Sequence, residues 1–269
     1  MRKFLRQSWI IIKLAWQKNL NYRFTVFMYR IGEIIEVLVL IVMWTAIYSG
    51  GGGMIKGFTL SEMVTYVLIG NLFSVAVRNF LPDHVSREIE HGRLSAFLVK
   101  PVSYIRFTFT NELGRIFLAT ILSVLSQVIV ILFFLDRVIF NTDMSYILVI
   151  VSMVFFAFII ELLLGFLIGS IAFWTDEVAG LQASIDRVKR FFSGGYFPLS
   201  LLPVSLSSAS GYLPFGYSFF VPASLYLKKI DLAQGLRGLM IQAIWIVLLS
   251  LILGFVWKRG LRKFEATGS

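Results

Sequence analysis

The sequence predicts an all-α integral membrane protein: six transmembrane helices, an N-terminal amphipathic interfacial helix, and re-entrant outer helices between the fifth and sixth spans. Three observations predict it. Of the 269 residues, 58% are apolar and only 15% charged, against roughly 45–50% and about 25% in soluble domains. The apolar residues gather into stretches that fit helices of roughly 20 residues, the length needed to cross a bilayer. All six prolines lie at or outside the ends of those stretches, where their broken helical hydrogen bonds do least harm. Six spans leave no room for a large soluble domain, so residues 1–269 read as one transmembrane domain.

Residues 1–23 carry Arg2, Lys3, Arg6, Lys13, Lys18 and Arg23 among Phe4, Leu5, Trp9, Leu14, Trp16 and Leu20, and the first acid is Glu33. That mixture suits a helix lying on anionic lipid, with its tryptophans at headgroup level. Lys13 interrupts the apolar run and no small-residue cleavage pattern follows, which argues against a removed signal peptide. The spans follow at about 24–48, 60–81, 112–135, 146–173, 178–197 and 236–257. The fifth begins with Asp186, Arg187, Lys189 and Arg190 in its first half, so that half is expected to project into the cytosol.

Between the spans, charge sets orientation. The N-terminal segment and residues 82–107, 174–190 and 258–269 hold 17 of the 25 Lys and Arg residues. The opposite loops hold Lys56, Arg137, Lys228 and Lys229. The positive-inside rule then places both termini in the cytoplasm of a multi-pass protein of the cell membrane. The net charge of +10 is accounted for by orientation, so no nucleic-acid partner is invoked. In the outer segment 198–235, Pro198, Pro203, Pro214 and Pro222 cut an aromatic stretch into pieces too short to cross. Short helices dipping back into the outer leaflet are expected there, because irregular backbone at membrane depth needs protein or water around it.

Catalytic chemistry is poorly provided for. With no cysteine, thiolate catalysis and Cys-based metal sites are excluded. His84 and His91 sit seven apart in an Arg-rich loop without a His-Glu-x-x-His pattern, so no metal is expected. No Gly-Lys dipeptide occurs, hence no Walker A loop to hold nucleotide phosphates. Within the spans, Arg30 with Glu33 and Glu112 with Arg115 are spaced three apart and expected to pair on their own helices. Glu161 is different, since no cation lies within two turns of it on its helix. A carboxylate there is costly in lipid; fold-stabilising hydrogen bonding and a place on a substrate route are both open. Gly165 and Gly169 make a face for close helix packing, within the chain or between subunits.

Two stretches carry a family resemblance. One is Glu88-Ile89-Glu90-His91-Gly92-Arg93-Leu94-Ser95-Ala96-Phe97-Leu98-Val99-Lys100-Pro101; the other runs from Ser193-Gly194 through Phe197-Pro198, Pro203 and Leu213-Pro214-Phe215 to Tyr217 and Pro222. In this order on a six-span, basic-inside chain they resemble the permease subunits of ABC-2-type ATP-binding-cassette transporters. Ala172-Phe173-Trp174-Thr175 and the ending Leu98-Val99-Lys100-Pro101-Val102 are similar to the six-helix branch whose ATPase is a separate chain. Many drug and polysaccharide exporters have an acid where Ser95 stands, so their substrates do not carry over.

The resemblance implies a permease subunit, not an enzyme, that exports a substrate with ATP and Mg held by partner ATPase subunits and none in this chain. It implies a cytoplasmic coupling helix near residues 85–98, with Glu88, Glu90, Gly92, Arg93, Leu94, Phe97 and Leu98 facing the ATPase. Leu94, Phe97 and Leu98 read there as an apolar docking ridge. Gly194, Phe197, Pro198, Pro203, Pro214, Tyr217 and Pro222 would build a re-entrant outer gate, and a second permease, identical or sister, would complete the assembly in contact with membrane lipids. A membrane-embedded enzyme acting on lipid-linked substrates and a non-transporting scaffold for an ATPase are the alternatives.

Overall fold

The computed structural model describes residues 2–51, 53–99, 103–175 and 178–264; the side chains of residues 2–8, 18–19 and 98 also lie outside that description. Helix α1 (Arg2–Asn21) turns at Tyr22 into α2 (Arg23–Ser49). Helix α3 (Leu60–Val77) starts on a capping box in which Thr59 and Glu62 satisfy each other's backbone N–H groups. The chain breaks at residues 78–80 and resumes as α4 (Leu81–Glu90), with Pro82 in the first turn, where a fixed φ suits a helix start. Beyond the short α5 (Ser95–Leu98), α6 (Tyr104–Phe133) begins well ahead of the expected position 112, because Arg106, Thr108 and Thr110 lower the hydropathy of its first turns without breaking the helix.

Helix α7 (Met144–Ser170) is capped by Asp143 and tightens into a 3-10 turn at Ile171–Phe173. The Ser145 hydroxyl, then the Lys228 ammonium, hold the Asp143 carboxyl below the usual carboxylate range. Helix α8 (Val178–Ser193) is followed by a proline-cut segment containing α9 (Val204–Ser210) and α10 (Phe220–Tyr226), each seven residues long. Helix α11 (Leu232–Lys263) opens on a second capping box, Asp231 with Gln234, and ends on Arg262 and Lys263, which suit the negative end of the helix dipole.

Among the described residues, five helices are long and apolar enough to cross a membrane: α2, α3 continued through α4, α6, α7 with its 3-10 turn, and α11. The expected span 178–197 instead holds the 16-residue α8, which ends where Gly194 adopts φ +83°. A Cβ at Gly194 would stand 2.8 Å from the Tyr66 hydroxyl oxygen, and that hydroxyl donates to the Gly194 carbonyl at 2.7 Å. The chain there is therefore turned and pinned by α3.

Three buried clusters hold the bundle together, of which one, Val149, Ile150, Met153, Tyr217 and Leu225, seats the proline-cut segment on α7. A second joins α4, α6, α7 and α11 through Leu81, Val85, Phe166 and Trp257. Tyr104 stacks on Trp257 at 5.6 Å, and Phe173 meets Trp257 edge-on while filling the groove left by Gly260. The third joins α2 and α3 to Phe219, Ala223 and Leu227 of the proline-cut segment. Phe219 packs directly against Gly70, and Gln242 donates to the Met153 carbonyl at 3.0 Å. Gly70 lies ten residues into α3, so Phe219 sits about 15 Å along that helix from its start. At the same end, Lys229 pairs with Glu62 and Lys228 with Asp143, tying the loops together.

Candidate functional site

A cavity of about 370 Å³ opens between α2, α3, α7 and α8, floored by residues 78–82 and roofed by Phe215, Ser218 and Phe219. Its wall is charged. Lys189 of α8 reaches Glu161 of α7 at 2.7 Å and Asp186 at 3.1 Å, and Arg190 pairs with Glu36 of α2. The Glu161 carboxylate is paired to a neighbouring helix and also lines the cavity. Nearby, Gln127 donates to Asn71 at 2.6 Å, adding a polar side chain of α3 to the wall.

Lys189 and Asn79 were missed as site residues by sequence reasoning. Lys189 is 28 positions from Glu161, and only the antiparallel packing of α7 and α8 brings them together. Asn79 occupies the break between α3 and α4. Its amide N–H donates to the Glu161 carbonyl at 3.0 Å, and its side-chain oxygen accepts from the Leu81 N–H at 3.1 Å. One side chain thus starts α4 and fastens it to the turn of α7 that carries the cavity carboxylate.

Gly165 and Gly169 pack within the chain. Cβ atoms there would lie 2.7 Å from Asn79 Oδ1 and 2.6 Å from Val85 Cβ, so both glycines seat α4 on α7. Leu81, Val85 and Ile89, four apart, form the buried stripe of α4. Its other side shows His84, Arg87 and Glu90, with Arg87 bridged to Asp83 at 2.9 Å.

Past α4 the chain reverses at Gly92, whose φ of +67° favours glycine. Arg93 reaches back to Glu88 at 3.5 Å, and the Leu94 N–H donates to the Glu88 carbonyl at 2.9 Å. The docking ridge expected of Leu94, Phe97 and Leu98 needs correction. Leu94 is fully buried and Phe97 packs on Tyr104 and Phe107, because the turn folds its apolar residues into the core. Glu90, His91, Arg93 and Ala96 remain exposed. The Leu98 side chain and residues 100–102, with Pro101, lie outside the described residues.

The expected outer-gate residues are drawn together. Gly194, Pro198, Tyr217 and Pro222 are buried, and Tyr217 donates from its hydroxyl to the Gly211 carbonyl at 2.7 Å. Phe197 joins the core beside α2 and α3, whereas Pro203 caps α9 on the exposed side. The expected ion pairs within helices are present: Arg30 with Glu33 and Arg115 with Glu112, each at 2.7 Å.

Residues 34–268 match the sequence model of a family described as ABC-2 family transporter protein. The chain belongs to that family. Nothing among the curated proteins matches it. As an ABC-2 membrane domain, the matched region is a multi-pass transport permease component; that domain is not itself a nucleotide-binding one, and the family generally works with ATPase subunits. The match takes in the cavity, the α4–α5 turn and the proline-cut segment alike.

Proposed function

We propose that this chain is the permease of an ATP-driven exporter of the cell membrane, forming one transmembrane domain with both termini cytoplasmic. ATP and Mg are held by separate ATPase subunits, and a second permease completes the assembly. The central cavity is the substrate route. The basic α1 lies on the cytoplasmic leaflet, anchored to α6 by the Trp16 indole N–H donating to the Gly114 carbonyl at 2.7 Å. The segment 198–235 dips back from the outer side to roof the cavity, a reading supported by the depth of Phe219 on α3.

One observation carries the proposal: the continuity from α4 through Asn79 to Glu161. A partner pressing on Glu90, His91 and Arg93 acts on a helix clamped to α7 by two glycines. Displacement of α4 strains the Asn79 bond to the turn bearing Glu161, which in turn holds Lys189 of α8. A push at the membrane face thus biases the packing of α7 against α8, as a two-state element must. The same charges on the cavity wall give a polar passage through an otherwise apolar bundle.

The test is to purify the chain with its partner ATPase and reconstitute both in liposomes. Stimulated ATP hydrolysis with movement of a solute or lipid is expected. Reversing the exposed charge in Glu90→Lys should cut ATPase co-purification about tenfold while leaving insertion intact. Undiminished co-purification overturns the coupling assignment, and stimulated hydrolysis without any movement makes the chain a scaffold.

A further inference from the structure

A second pocket, of about 270 Å³, opens sideways between α2 and α6, beside the break that ends α3. Its character changes along its length. Val26 and Val75, with Leu118 and Leu122, make an apolar lining, and the exposed rings of Tyr22 and Tyr29 stand at its edge. At the other end are Arg30, Arg78 and Arg115, with Glu33 the only acid in the lining. Arg115 is taken by Glu112, its Nη2 also donating to the Arg78 carbonyl at 2.8 Å. Arg30 is taken in part by Glu33, while its Nε is buried without an acceptor. The Arg78 guanidinium has no carboxylate partner among the described residues. Three guanidinium groups therefore face two carboxylates, leaving one positive charge and spare donors at the end of an apolar slot.

We propose that this lateral pocket binds an anionic amphiphile from the adjoining leaflet, its acid group on Arg78 and its chain along α2 and α6. Guanidinium donors in a fork suit phosphate or carboxylate oxygens, and Arg78, being exposed, is open to such a group. A free inorganic anion would leave the apolar half of the pocket unfilled, and a zwitterionic headgroup would bring a second cation to a cluster already in positive excess. Arg78 and Phe80 line both this pocket and the central cavity, so the bound molecule is one side-chain layer from the proposed route. That last step rests on the permease reading; the binding itself does not.

The experiment uses the full chain alone in phosphatidylcholine nanodiscs, without ATPase, so that failure of ATP-driven transport leaves its outcome untouched. Trace phosphatidylglycerol bearing a photoreactive group in its acyl chain is irradiated, and adducts are mapped by mass spectrometry. Adducts are expected on Val26, Tyr29, Leu118 and Leu122. The matching phosphatidylcholine probe should label them about tenfold less. Arg78→Gln should bring the anionic probe down to the phosphatidylcholine level with unchanged thermal unfolding, because Arg78 is exposed and its guanidinium forms no ion pair among the described residues. Arg78→Lys should retain part of the labelling, and Arg93→Gln all of it. Dodecyl phosphate should compete. Equal labelling by both lipids, indifference to Arg78→Gln, or competition by inorganic phosphate alone would each overturn the proposal.

Discussion

Lys189 shows how a single residue acquires a role that only the fold confers. In the sequence it belongs to a charged run, Asp186 to Arg190, which reads as a helix too polar for lipid. In the fold, α8 turns Lys189 toward Glu161 and Asp186, and Arg190 toward Glu36, so the run becomes one wall of a cavity. Glu161 was legible as exceptional because its own helix offers no cation. Its partner was not, since spacing along one helix says nothing of which neighbour closes on it. Glu161→Gln removes one of two carboxylates from Lys189, leaving Asp186. The expected cost is about 1–3 kcal/mol, below that of stranding a buried charge outright. Lys189→Met strands Glu161 instead and should cost more. Thermal unfolding of the purified variants checks the order, and reconstituted transport should fall in both; unchanged transport in Glu161→Gln removes the carboxylate from the route.

Among the elements, α4 is where sequence and fold meet most closely. Pro82 and Gly92, at its start and just past its end, stand out in the sequence, whereas the buried stripe of Leu81, Val85 and Ile89 is set by the fold. The Gly165 and Gly169 face was equally readable, but pattern alone offered an intrachain partner or a second subunit, and the fold selects α4. Leu94 went the other way: an apolar residue in a loop reads as a contact for a partner, yet the turn at Gly92 folds it inward. Leu94→Asp therefore buries a charge and disrupts the lever itself. The seating of α4 gives a signed prediction. Gly169→Ala places a methyl 2.6 Å from Val85 Cβ and should destabilise by about 1–3 kcal/mol. Gly254→Ala on α11 meets nothing within 4 Å and should be neutral or stabilising by up to about 1 kcal/mol. Equal melting temperatures for the two variants would show that α4 does not depend on close approach.

At the scale of the whole molecule, the question is how many times the chain crosses. Among the described residues five helices are long and apolar enough to cross, and five crossings would leave the termini on opposite sides. Helix α8 has 16 residues, about 24 Å of rise against a hydrocarbon core of roughly 30 Å. Its end is nonetheless bonded to Tyr66, six residues and so about 9 Å along α3 from Leu60. The irregular chain beyond Gly194 is covered by protein in part, Pro198 and Leu199 being buried while Tyr196 and Ser200 are exposed, and cover of that kind is the condition under which such backbone is tolerated at depth. A crossing completed by α8 and residues 194–202 together would escape any search for one long apolar helix, and the charges of α8 would hide it further, although three of the four, Asp186, Lys189 and Arg190, line the cavity while Arg187 is exposed. The absence of native cysteine makes this directly measurable. Gln17→Cys, Trp174→Cys and Arg262→Cys should react with a membrane-impermeant maleimide only after cells are permeabilised. Met54→Cys and Tyr212→Cys, both strongly exposed positions, should react in intact cells. Labelling of positions 174 and 212 from the same side would mean that α8 turns back without crossing, and the cavity it walls would then open to one side of the membrane only.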